Sequence, residues 1–281
     1  WGVITYRPHP QALFGGTAFR YLFTEQEREA LTKLHGIGRF EKIPFTRGLA
    51  DMKPSDFLDW IADAYGVSGL VVGDNFRFGR GRSGDSTFLE NEGGVRKWSV
   101  DILPPVRVGQ ENVSSTLIRQ KVSVGETRGV EPLLGHPYFL SGTVVRGDQR
   151  GRSLGFPTAN LSIPAEKLIP QRGVYAGAAL LGETWQPVAL NIGFNPTFTG
   201  IRSLRVEAHL IGFDGNLYGK HLVVLFLDRL RGELQFSGVQ ELVIRMHQDT
   251  SEADSLWRNF HATHEPGLHK LAESLQTVSG D

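Results

Sequence analysis

The chain has 281 residues, 40% of them hydrophobic and 21% charged, with 30 basic residues balancing 30 acidic ones. This is a globular composition, long enough for one large domain or two ordinary ones, and it excludes a disordered chain. Cysteine is absent, which excludes disulfides, zinc–thiolate centres and cysteine nucleophiles, and the neutral balance does not favour a polyanion or a membrane surface as partner.

The first segment, 2-GVITYR-7, predicts a strand, and 25-EQEREALTKLHG-36 a helix ended by Gly36. A second helix is predicted over 55-SDFLDWIADAYG-66, with Ser55 as N-cap and Gly66 as C-cap. A buried-type strand 69-GLVVGD-74 follows, then a short helix near Phe88, a strand over 98-WSVDIL-103 and a helix over 115-STLIRQKV-122. Alternation of this kind predicts an open, mostly parallel sheet with helices on its faces. After about residue 135 the rhythm changes. Strands at 138–147, 174–182, 186–193, 204–213 and 221–230 follow one another through Gly, Pro, Asn and Asp turns. Close-set strands without crossover helices predict an antiparallel barrel or sandwich. A helix is predicted over 238–249, and Leu256, Trp257 and Phe260 point to an extra packed helix in the tail. The change of rhythm near 131-EPLLGHPY-138 divides the chain into 1–134 and 135–281. The longest apolar run, 222-LVVLFL-227, is far short of the ~18 residues of a membrane span. No basic-then-apolar leader follows Trp1, and a start inside a strand leads us to expect further residues upstream.

Three stretches carry candidate chemistry. The first, 79-GRGRSG-84, fits G-x-G-x-x-G, with Asp101 near the ribose-binding spacing of about 20 residues. The residues 75-NFRF-78 separate its first glycine from the strand, however, and the next helix is short for a dinucleotide crossover. A glycine-rich turn and a phosphate grip through Arg77, Arg80 and Arg82 are the other readings. The second, 113-VSSTLIRQ-120, sets Ser114, Ser115 and Thr116 at a helix start with Arg119 one turn on. Free N–H groups and a forked guanidinium suit an anion, whereas plain N-capping by Ser114 or Ser115 needs none. The third is 151-GRSLGFPTANL-161. Gly155 allows a turn or a close approach, and Pro157 fixes the direction of the chain. Thr158 and Asn160 then present two neutral oxygens on one side of an extended segment. Taken alone, PTAN is an ordinary turn and Glu207 a solvated strand residue. His261 and His264 read as surface residues. No G-x-x-x-x-G-K-[ST] occurs, so nucleotide phosphates must be held some other way.

Taken in order, these stretches resemble the bacterial bifunctional riboflavin kinase/FAD synthetases. The resemblance runs through 3-VITYRPHP-10, 71-VVGDNFRFGRGRSGD-85, 113-VSSTLIR-119 and 135-LGHPYFLSGTVVRGDQRGRSLGFPTANL-161. It continues through 173-GVYAG-177, 191-NIGFNPTF-198, 206-VEAHL-210 and 217-LYG-219, and so covers the chain up to about Asp249. It implies an α/β nucleotidyltransferase-like (Rossmann-like) N-terminal domain joined to an antiparallel β-barrel riboflavin kinase domain with a C-terminal helix. ATP and Mg2+ are implied, with riboflavin, FMN and FAD as substrates and products. By resemblance, Thr158 and Asn160 hold Mg-ATP beside Gly155 and Pro157, and Glu207 takes the proton of the riboflavin 5′-hydroxyl. The front module would hold nucleotide through Ser114, Ser115, Thr116 and Arg119, and flavin through Asn75, Phe76, Arg77 and Phe78. Small-molecule substrates and a cytoplasmic setting follow, with no nucleic-acid or membrane partner; no oligomeric state is implied. One departure stands out. The family's adenylyltransferase module opens on a glycine-rich segment with two histidines, and no H-x-G-H occurs here. His9 lies in a different element and does not take that role. Two alternatives remain: a riboflavin kinase with a vestigial front module, and an OB-like nucleic-acid-binding protein. The neutral charge weighs against the second.

Overall fold

The computed structural model describes residues 1–14, 19–148, 150–195 and 203–279. The front part runs β1 (Gly2–Arg7), α1 (Pro10–Phe14), α2 (Glu25–Leu34), β2 (Arg39–Pro44), α3 (Arg47–Ala50), α4 (Pro54–Tyr65), β3 (Gly69–Gly73), a 3-10 turn (Arg80–Arg82), α5 (Ser86–Arg96) and β4 (Ser99–Leu103). It continues through β5 (Arg107–Val108), β6 (Glu111–Asn112), α6 (Ser115–Ser123) and α7 (Glu131–Leu134). The remainder is β7 (Tyr138–Val145), α8 (Arg150–Ser153), β8 (Ala159–Ser162), β9 (Gly173–Leu181), β10 (Thr184–Asn195), β11 (Ser203–Leu210), β12 (His221–Arg231) and α9 (Val239–Ser279). These elements form two compact units. One comprises Ile4–Phe19 and Glu41–Val113, the other Trp1–Val3, Arg20–Phe40 and Ser114–Asp281.

In the first unit, β3 and β4 pair in parallel from Gly69↔Ser99 to Gly73↔Leu103, with α5 as the crossover. Parallel pairing needs such a crossover, and Gly93 lets α5 lie close on β4, because a Cβ there would come within 2.4 Å of Val100. The parallel sheet is narrower than the alternation predicts: β1 and β2 form a sheet of their own. Phe57, Leu58 and Ile61 share one face of α4 and form the core with Phe78 and Leu89. The expected cap on α4 is corrected. Its N-cap is Lys53, which makes no side-chain bond, and Pro54 opens the first turn. Proline is pre-set for that position, so Ser55 falls inside the helix and its hydroxyl turns to Asp56. Gly66 closes α4 at φ 63°.

The second unit is built on a closed antiparallel barrel of six strands, in the order β10-β11-β8-β7-β12-β9. Its interior is packed with apolar side chains such as Leu140, Leu161, Tyr175, Leu190, Val206, Ala208, Val224 and Phe226. One helix, α9, extends over the whole tail, where a helix over 238–249 and a separate packed helix were expected. Buried apolar residues flank Pro266 in one phase: Ala253 and Trp257 before it and Leu268, Leu271, Leu275 and Val278 after it keep one face inward, with no buried residue over 258–267. This face lies against β9, β10, β12 and α2. Trp185 ties the barrel to it through an indole N–H donated to Leu268 O at 3.0 Å. Near the start of α9, the buried Asp249 carboxylate accepts from Arg231 at 2.7 Å and from Arg245 at 2.9 Å.

A charge pair lies deep in this unit. Lys167 Nζ donates to Glu27 Oε2 at 2.6 Å, and neither side chain has any exposed surface. Glu27 belongs to the capping box of α2, where Thr24 N–H donates to its carboxylate, and Ser141 Oγ donates to its other oxygen at 2.7 Å. The ammonium also donates to Leu22 O and sits among the rings of Phe23, Tyr138 and Phe139. Burial pushes Lys167 down to about 8, against the pull of Glu27.

Candidate active site

Strand alternation and register place the candidate residues Glu207 and Asn160 on the outer face of the barrel. Along β11, Val206, Ala208 and Leu210 point into the core, so Arg205, Glu207 and His209 face outward. Glu207 is directly opposite Asn160 on β8 and Asn191 on β10, and Asn160 is in turn opposite Val145 on β7. Opposed residues in an antiparallel pair have Cβ atoms about 5 Å apart. A carboxylate and two side-chain amides thus stand in one row across neighbouring strands. Asn160 is only 7% exposed, and its Oδ1 has no hydrogen-bond partner among the described residues. A buried amide oxygen left without a donor costs free energy. Such an oxygen can take a hydrogen-bond donor or ligate a hard cation.

The turn before β8 contacts the next outward-facing residue of β11, His209. Gly155 sits at φ 87°, and Phe156 N–H donates to Gly151 O at 2.8 Å. The Phe156 ring is buried against the rings of His209 and His247, while Pro157 O accepts from His209 Nδ1 at 2.9 Å. Thr158 is half-buried and precedes the first ladder residue, Ala159. The strand preceding the turn leads into Gly147, whose backbone rests on the Asn160 amide: a Cβ there would come within 2.3 Å of Nδ2. Arg205 and Asp148 face each other at 3.6 Å on the same side.

The other sequence candidates lie elsewhere. Ser114 caps α6 by accepting from Leu117 N–H at 3.2 Å, and Ser115 and Thr116 are exposed beside it. Arg119 donates through Nε to Arg20 O at 3.2 Å, and partial burial lowers its guanidinium from the usual value. In the first unit, Asn75 and Arg77 are exposed, and Arg77 donates to Phe76 O at 2.8 Å. Phe76 stacks on Phe78 at 5.3 Å, while Phe78 is itself a core residue. The dinucleotide reading of 79–84 is corrected by the backbone. Phe78 and Gly84 exchange both backbone hydrogen bonds, at 3.0 and 2.9 Å, which closes 79–84 into a tight turn. Gly79 and Gly81 take positive φ to make that turn. A fingerprint would instead run from strand straight into helix.

A family model for riboflavin kinase matches residues 134–257, and one for FAD synthetase matches residues 1–117. The bifunctional riboflavin kinase/FMN adenylyltransferase of Listeria monocytogenes is 33% identical over 254 residues, covering 89% of this chain and 80% of the relative. The Escherichia coli K12 protein of the same name is 34% identical, with coverage of 88% and 79%. The Bacillus subtilis protein is 30% identical, with coverage of 92% and 82%. The chain belongs to this bifunctional family. A solved structure described as a macrolide-efflux protein from Streptococcus pneumoniae is also similar, with TM-score 0.82 and 28% identity, covering 90% of this chain and 82% of that one. Among the described residues of this chain, no helix is long and apolar enough to cross a membrane.

Within the riboflavin kinase/FMN adenylyltransferase family, the fold class is as expected: an α/β front module and an antiparallel barrel with a C-terminal helix. The barrel brings Asn160 and Glu207 into one row with Thr158 at its edge. Of the resembling stretch 191–198, residues 196–198 lie outside the described residues. Gly147, Asn191 and His209, which were not among the sequence candidates, stand beside Asn160 and Glu207. The signal for Asn191 and His209 was present, since each falls on the outward phase of a strand, but only the register puts them beside the Asn160–Glu207 pair.

Proposed function

We propose that the chain phosphorylates riboflavin to FMN with Mg-ATP and then adenylylates FMN to FAD. The observation that carries the kinase reading is the buried Oδ1 of Asn160, without a hydrogen-bond partner among the described residues and in direct register with Glu207. Oxygen donors of this kind suit a hard cation such as Mg2+ that keeps part of its water, and Thr158 Oγ1 and Asn160 Oδ1 would hold it. When bound, Mg2+ neutralises charge on the ATP phosphates. Glu207 accepts the proton of the riboflavin 5′-hydroxyl as that oxygen bonds to the γ-phosphorus, and ADP leaves. The Phe156–Thr158 turn orients the nucleotide and keeps water from the transferring group. In the second reaction an FMN phosphate oxygen attacks the α-phosphorus of ATP and pyrophosphate leaves. For that step Ser114, Ser115, Thr116 and Arg119 are proposed for the nucleotide, and Asn75, Phe76 and Arg77 for the flavin, with the Phe78 ring supporting Phe76. The division of labour proposed is adenylylation by 1–134 and phosphorylation by 135–281.

Product chromatography after incubation with riboflavin, ATP and magnesium tests the reading: FMN and FAD both form. Absence of FMN would overturn it, and FMN without FAD would select a kinase alone. In Asn160→Ala, FMN formation from riboflavin falls strongly while FAD formation from supplied FMN persists. Equal loss of both activities, with the circular dichroism spectrum unchanged, would contradict two separate sites. Gly147→Ala is a steric version of the same test. Its Cβ collides with the Asn160 amide, so KM for ATP in the kinase reaction rises although no functional group has been removed. Unchanged kinetics would detach Asn160 from the nucleotide.

A further inference from the structure

We propose that His209 is a positioning residue of the kinase reaction, holding the turn that presents Thr158 in register with the strand that carries Glu207. The inference rests on the kinase reading above and adds a residue to it.

Backbone accounting through the turn leads to His209. Phe156 spends its N–H on Gly151 O. Pro157 has no N–H to give, and its carbonyl is bonded by His209 Nδ1 at 2.9 Å. A carbonyl can only accept, so Nδ1 carries the proton. The β8–β11 ladder starts at Ala159↔Ala208 and goes on to Asn160↔Glu207. Asn160 is therefore placed by strand pairing, but Thr158 lies just outside the ladder. The bond from His209 to the residue before Thr158 does for that hydroxyl what the ladder does for Asn160.

The geometry also explains why strand β11 supplies the anchor. Side chains two apart on a strand share a face and stand about 7 Å apart, so His209, which meets the turn, lies on the same face of β11 as Glu207. The imidazole meets the buried Phe156 ring edge-on, with centroids 5.3 Å apart at 66°. His247 of α9 also meets that ring, with centroids 4.9 Å apart at 66°. The ring contact holds Phe156, whereas the hydrogen bond fixes the carbonyl that precedes Thr158. The two roles can be separated by substitution.

His209→Phe keeps an aromatic edge against Phe156 and removes the donor. His209→Asn places an amide N–H where Nδ1–H was and gives up the ring. A hydrogen bond of ordinary strength predicts that His209→Phe raises KM for ATP in riboflavin phosphorylation about 3- to 10-fold, with kcat changed by less than about 2-fold. His209→Asn restores KM towards the wild-type value, and adenylylation of supplied FMN stays at wild-type rate in both. A purely structural role for His209 would instead follow ring loss, making Asn the worse variant and lowering the thermal midpoint without a selective change in KM. That result, or an unchanged KM in His209→Phe, overturns the proposal while wild-type FMN formation leaves the kinase reading standing. A wild-type chain that makes no FMN sinks both.

Discussion

Glu207→Gln should retain binding of riboflavin and Mg-ATP and lose turnover, with kcat for FMN formation falling roughly 10²–10⁴-fold, the range of a general acid–base group. Glutamine keeps the size of the side chain and one acceptor oxygen but cannot take a proton from the 5′-hydroxyl. Glu207 is partly exposed on the outer face of β11, away from the packed interior, so the exchange should scarcely alter stability. Adenylylation of supplied FMN by the same preparation is the internal control and should be unaffected. Steady-state kinetics with riboflavin and with ATP varied in turn give the required separation of kcat from KM. Near-normal turnover would remove Glu207 as the base. A large rise in KM with kcat preserved would make it a binding residue.

The second large effect concerns stability. Lys167→Met keeps the stem of the side chain and strands the Glu27 carboxylate in a site with no exposed surface. Breaking one partner of a buried pair leaves an uncompensated charge, which costs about 3–5 kcal/mol. The urea midpoint of the barrel unit should fall accordingly. The double variant Glu27→Gln/Lys167→Met should be more stable than Lys167→Met, because no charge remains buried. If the double variant is no better, the pair contributes through packing alone. The pH dependence has a definite sign. Burial, opposed by Glu27, lowers Lys167 from 10.5 to about 8. Between those values the unfolded chain binds more protons than the folded one, so this group's contribution to stability rises with pH and is lost as pH falls towards 8. The gap between wild type and Lys167→Met should therefore widen from pH 8 to pH 10. A constant gap would mean that the ammonium titrates normally.

Much of the fold is written in local patterns. The strands at 2–7 and 69–73 and the helices starting at residues 25 and 115 are read directly from side-chain periodicity and cap residues. So is the change from crossover helices to close-set strands. The expectations that failed did so where a non-local or competing term decided. Ser55 lost the cap of α4 to Pro54 at the first turn. The tail became a single helix, with apolar residues on both sides of its internal proline keeping one buried face.

For the candidate site, the sequence offered residue types but not their arrangement. The stretches PTAN and VEAHL name Thr158, Asn160 and Glu207, and alternation assigns Glu207 and His209 to one face. Nothing local says that Glu207 stands opposite Asn160 rather than a residue one step along, a slip that would turn every side chain to the other face. That choice belongs to barrel closure, which pairs β11 with β8 on one side and β10 on the other. The same holds for Lys167, an ordinary surface residue by type, which the fold buries against Glu27 of a helix far earlier in the chain. Elements and chemical groups can be read from local sequence, because both depend on residues a few positions apart. Register, burial and the Pro157–His209 bond were decided by tertiary structure, because each depends on which distant strands and helices come together.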